Sequence, residues 1–154
     1  MSPEQFRKAY ERLIQRAEGR LLLGKREEYQ GYINEAANAF MVANGFQGIG
    51  RHWHNLKKPH PQEQAPDILP NNMPGHLTQL LRYDIVQGSS RKLDADTAQE
   101  IAENFYKLFQ IGRRASLANG IGNSWNPVSD WTFDRAFVAM DDVHIGAIVF
   151  LGED

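Results

Sequence analysis

Cysteine is absent from all 154 residues, which excludes disulfides, thiolate nucleophiles and cysteine-based zinc or iron–sulfur sites. Long apolar runs are absent too. The longest, 145–151, falls far short of the ~20 residues that a membrane-spanning helix needs. The opening stretch MSPEQFRKAYERL is charged from its first turn and does not resemble a targeting leader. Charge of one sign is not in surplus: the formal net charge is -2, which gives no global reason to expect a polyanionic partner. Internal repeats and low-complexity tracts are missing, as are a Walker loop and an H-E-x-x-H helix. These absences lead us to expect a soluble, cytoplasmic protein without a membrane partner or a cofactor.

What is present suits a packed core. Apolar residues make up 42% of the chain and charged residues 23%, and a chain of this size forms one domain that buries roughly 70% of its unfolded surface. Ser2, Pro3 and Gln5 mark a helix start, after which Phe6, Tyr10, Leu13, Ile14, Ala17 and Leu21 recur at helical spacing. Gly24 interrupts. Tyr29, Ile33, Ala36, Ala37, Phe40 and Met41 form the face of a second helix that Asn44-Gly45 closes, and the short joint predicts an antiparallel helix pair.

Leu77, Leu80, Leu81 and Ile85 suggest a shorter helix, with 83–86 readable as a strand instead. Beyond Asp94 and Asp96, Ile101, Phe105, Leu108, Phe109 and Gly112 mark the inner face of a long helix that Asn119-Gly120 stops. The pattern then turns to β. Segments 136–140 and 145–151 bracket Asp141, Asp142, Val143 and His144 as a hairpin, and its second strand is apolar on both faces. A strand of that kind needs cover on both sides and a third strand beside the pair, for which 49–53 and 83–86 are the candidates. The expected fold is α+β: one helix-rich domain over 1–154 with a small C-terminal antiparallel sheet built around a β-hairpin.

Between Arg51 and His76 the chain concentrates four of its five histidines and five of its seven prolines. Prolines at that density forbid a long helix, so a long proline- and histidine-containing loop is expected at about 51–75. His52 and His54, two apart, would project to one side of an extended segment and could present two imidazoles to a metal ion, with His60, Asp67 or His76 as a third ligand. The competing reading has Trp53 anchoring the segment while both histidines face solvent. His76-Leu77-Thr78 resembles half of the paired H-x-[ST] arrangement of the two-histidine phosphoesterases, but His144 is followed by Ile145 and Gly146, so the second half is missing.

Three functions are weighed on these residues. The first is recognition of another macromolecule, above all a protein, by a small accessory or regulatory chain of the kind bacteria and their phages use as inhibitors. Its binding residues would be Arg51, His52, Trp53, His54, Lys57, Lys58, His60 and Trp125, because aromatic and basic side chains on loops make recognition sites. The second is a hydrolase or phosphodiesterase using His52, His54 and His76, with metal, if any, on His52, His54 and His60. The third is nucleic-acid binding through Lys8, Arg12, Arg16 and Arg20, which recur at every fourth position as a basic ridge on the first helix, with Glu4, Glu11 and Glu18 interspersed. No complete catalytic set can be assembled from the sequence, which places binding ahead of chemistry. An oligomer is compatible with the apolar helix faces.

Overall fold

The structure, a computed structural model, describes residues 1–56, 73–83, 92–122 and 124–153. Helix α1 (Pro3–Arg16) starts from a complete capping box, in which the Gln5 amide donates to the Ser2 hydroxyl and the Gln5 side chain accepts from the Ser2 amide. Strand β1 (Gly19–Lys25) follows, then a 3-10 turn (Arg26–Glu28), α2 (Ile33–Ala43), the two-residue strand β2 (His54–Asn55), α3 (Met73–Arg82), α4 (Ala95–Tyr106), β3 (Ala115–Ala118), β4 (Phe133–Met140) and β5 (His144–Gly152). Asp94 caps α4 by accepting from the Thr97 amide. Among the described residues the fold is α+β, with four helices and one antiparallel sheet of order β1-β5-β4-β3-β2.

The β4–β5 hairpin forms the middle of that sheet, and its strands feed two cores by simple alternation. Phe137, Ala139, Ile148 and Phe150 face one side, where Phe6, Tyr10 and Ile14 of α1, Leu77, Leu80 and Leu81 of α3, and Ile101 and Phe105 of α4 cover them. Ala136, Val138, Met140, Ile145, Ala147, Val149 and Leu151 face the other, beneath Ala36, Ala37, Phe40 and Met41 of α2. The sheet is thus the middle layer of three, as the doubly apolar second strand requires. Each large side chain fully buried in either core contributes about 1.5–3 kcal/mol.

Four expectations are corrected. The first helix ends at Arg16 and does not extend to Leu21. Glu18 takes a left-handed φ of 63°, and the chain leaves as a strand. Three consecutive leucines then serve both sheet faces: Leu21 and Leu23 belong to one core and Leu22 to the other. The first two helices do not pack as a pair, because β1 lies between them in sequence and they cover opposite faces of the sheet.

The long helix expected to run up to Asn119 stops at Tyr106, and the chain turns through Gly112 (φ 82°) into β3, which hydrogen-bonds β4. The third and fourth strands beside the hairpin therefore come from 19–25 and 115–118, segments whose apolar spacing also fits a helix, while 49–53 is loop. Of 83–86 only Tyr83 is described, as an isolated bridge.

Candidate functional site

The segment entering the histidine-rich stretch is pinned to α2 by one side chain. Asn38 Oδ1 accepts from the Ile49 amide at 2.9 Å and from Trp53 Nε1 at 2.7 Å, while its Nδ2 donates to the Gly50 carbonyl at 2.9 Å. Trp53 is consequently a core residue, 6% exposed, packed with α2 and the sheet. Arg51 and His52 face solvent. His54 is half-buried on β2 opposite Ala118, which places it on the sheet face that α3 and α4 cover.

His76 is buried on α3 on that same face, with its ring 5.2 Å from Phe137. Lys57, Lys58, His60 and Asp67 lie outside the described residues. Among the described residues, no three histidine or carboxylate side chains come together as a metal site.

Trp125 is half-buried and enclosed: its ring centroid is 5.5 Å from that of Phe133, and the Arg135 guanidinium sits 4.9 Å above it. Arg135 is itself buried and donates to the carbonyls of Ser124 at 3.1 Å and Gly122 at 2.9 Å. Burial lowers its pKa and the neighbouring Asp134 opposes that shift. This loop rests on a polar knot that the sequence does not advertise. Asp134 is fully buried and accepts from the Val128 amide, the Ser129 hydroxyl and Asn119 Nδ2. Gly120 has to be glycine, since a Cβ there would lie 2.2 Å from the Ser124 carbonyl.

Lys8, Arg12 and Arg16 are exposed on α1, and nearby Arg7 pairs with Glu11. Arg20 does not continue that row. It belongs to β1 and shares a sheet face with Val149, the side away from α1, where its guanidinium is 5.9 Å from the exposed Trp131 ring.

The end of the sheet at the hairpin turn has a different character. Asp141, buried, spreads its carboxylate over three amides: Oδ1 accepts from Val143 at 2.8 Å and His144 at 2.7 Å, and Oδ2 accepts from Gln110 at 2.8 Å. Burial by itself would raise its pKa, but the amides of His144, Gln110 and Val143, with the His144 ring nearby, together hold it below the ordinary aspartate value. One carboxylate thereby ties the hairpin turn to the turn after α4, and a 3.5 Å ion pair between Arg113 and Asp142 adds to the joint.

The Arg26 amide donates to the Val143 carbonyl at 2.9 Å, and the Arg26 side chain donates to the carbonyls of Tyr29 and Gly31, which brings the start of α2 to the same end. An open groove of about 690 Å³ runs between Ser2 and Pro3 at the start of α1, Leu23 and Lys25 of β1, and Val143 and His144 at the hairpin turn. Val143, which lines it, is 59% exposed, and Met1, Tyr32 and Ile111, exposed at 63%, 83% and 79%, adjoin Ser2, Gly31 and Gln110 in the segments that meet at this end. In the sequence this end shows only as the hairpin turn, because single apolar residues in separate segments form no motif.

Compared with protein families, with curated proteins and with solved structures, the chain matches none. No helix among the described residues is long and apolar enough to cross a membrane.

Proposed function

We propose that this protein acts by binding another protein, as a cytoplasmic accessory or regulatory factor of the bacterial or phage kind, and that the hairpin-turn end is its recognition surface. The observation that carries this reading is the open groove at that end, lined by Leu23 and Val143, with Met1, Tyr32 and Ile111 also exposed on segments that meet there. An apolar groove rimmed by charge is the usual form of an interaction site. Glu4, Lys25, Glu27 and Asp142 supply that rim. The rigidity of the turn fits the same purpose, because the Asp141 amide bonds hold Val143 and Gln110 in place before any partner arrives. Trp53 and Trp125, the aromatic anchors expected from the sequence, are engaged in packing against their own chain.

The test is capture of partners from native lysate by the tagged protein, with the same capture by an Ile111→Asp, Val143→Asp variant whose circular dichroism matches wild type. Each partner identified with wild type should be weakened by roughly 30-fold or more in the variant, the effect of losing a central anchor. A second variant lacking 59–74 runs beside it. If that deletion abolishes capture while the Asp variant binds normally, recognition belongs to the deleted segment and not to the hairpin-turn end.

A further inference from the structure

The sheet treats its two edges differently. One edge strand, β2, is only two residues long, a common way of making an edge unattractive to other chains. The other, β1, has seven residues in unbroken register with β5, contains no proline or bulge, and carries leucine at its three central positions.

The Leu151 amide donates to the Glu18 carbonyl and the Arg26 amide to the Val143 carbonyl, so the even-numbered residues of this stretch address β5. The amides and carbonyls of Gly19, Leu21, Leu23 and Lys25 therefore point out of the sheet, and among the described residues nothing bonds to them. Leu22 and Leu23 are also only partly buried, and two open grooves border this strand, the one already described at Leu23 to Lys25 and another, shared with Trp131, at Gly19 and Arg20.

We propose that this edge pairs with the same edge of a second copy, antiparallel about a two-fold axis at Leu22, joining two five-stranded sheets into one. The sequence of the strand is complementary to its own reverse. With Leu22 on the axis, Leu21 faces the second copy's Leu23, Arg20 faces Gly24, Lys25 faces Gly19, and Glu18 at one end falls opposite Arg26 at the other. Leucine meets leucine at the centre, no cation meets a cation, and all four outward-pointing residues find hydrogen-bonding partners. The neighbouring registers are poorer. An axis at Leu23 sets Arg20 against Arg26, and an axis at Leu21 leaves Lys25 outside the ladder.

The absence of cysteine makes the register directly readable. Leu22→Cys would place two sulfurs across the axis in a pair whose Cα atoms are about 4.5 Å apart, within disulfide reach. Arg20→Cys would leave its two sulfurs on residues roughly 13 Å apart along the ladder. Mild oxidation should crosslink the first variant and not the second.

Wild type should sediment at twice 17.5 kDa by about 100 μM, where mass action favours the dimer. Leu22→Glu and Leu22→Lys should each dissociate at least roughly tenfold more readily, because like charges then meet on the axis. Mixing the two variants should restore the dimer, which a folding defect could not do. Wild type remaining monomeric through that concentration, equal crosslinking of the two cysteine variants, or no pairing in the mixture would each overturn the proposal.

Discussion

Asn119 is fully buried and uses its whole side chain: Oδ1 accepts from the Ala136 amide at 2.7 Å, and Nδ2 donates to Asp134 at 2.8 Å and to the Asn126 carbonyl at 3.0 Å. Asn119→Ala strips partners from a buried amide and a buried carboxylate together, so urea denaturation should show a loss of about 2–4 kcal/mol. In the sequence Asn119-Gly120 reads as an ordinary helix stop, since nothing local reports that Asp134 will arrive beside it. Asp141 carries a pH dependence of definite sign. Its folded pKa lies below the unfolded value of about 3.9, so its stabilising contribution is complete above that value and is lost as pH falls through the folded pKa. Asp141→Asn should therefore be less stable than wild type at pH 7, with the gap narrowing in urea titrations as the pH falls below the unfolded value and through the folded one. A constant gap would assign the stabilisation to turn shape and not to charge.

At the scale of elements, legibility followed the uniqueness of the pattern. The β4–β5 hairpin was readable because two short apolar runs, each too short for a helix, bracket an Asp-rich turn. The start of α1 was readable because Ser2, Pro3 and Gln5 form a local motif that acts within one turn. Strands β1 and β3 were not readable. Leu21 fits the helical period of the residues before it, and Ala115–Ala118 continues a plausible helix, so each was absorbed into its neighbour. Their hydrogen bonds come from β5 and β4, and pairing with a distant strand outweighs a weak local preference. Trp53 illustrates the same limit at the candidate site. An aromatic between two histidines looks like a recognition element until Asn38, a residue of α2, is seen to accept its indole N–H.

For the molecule as a whole, the decisive fact is that the first strand pairs with the last. Strand β1 closes the sheet against β5, so the amino-terminal segment and the carboxy-terminal hairpin form one folding unit despite their separation in sequence. A chain beginning at Arg26 would uncover Ile148 and Phe150 and leave β5 as a long apolar edge. It should lose near-ultraviolet circular dichroism and aggregate on refolding; a soluble fragment with a sharp denaturation transition would show that α1 and β1 are dispensable.

The same topology gathers the hairpin turn, the turn after α4 and the starts of α1 and α2 at one end of the sheet, where the proposed recognition surface lies. Composition, capping and periodicity by themselves determined an α+β chain with apolar material for two cores and a hairpin at its carboxy-terminal end, because those signals act over a few residues. Strand partners, the side of the sheet on which each helix rests, and the meeting of the hairpin turn, the turn after α4 and the starts of α1 and α2 were decided by tertiary structure. Contacts between residues far apart in the chain depend on how every intervening segment packs.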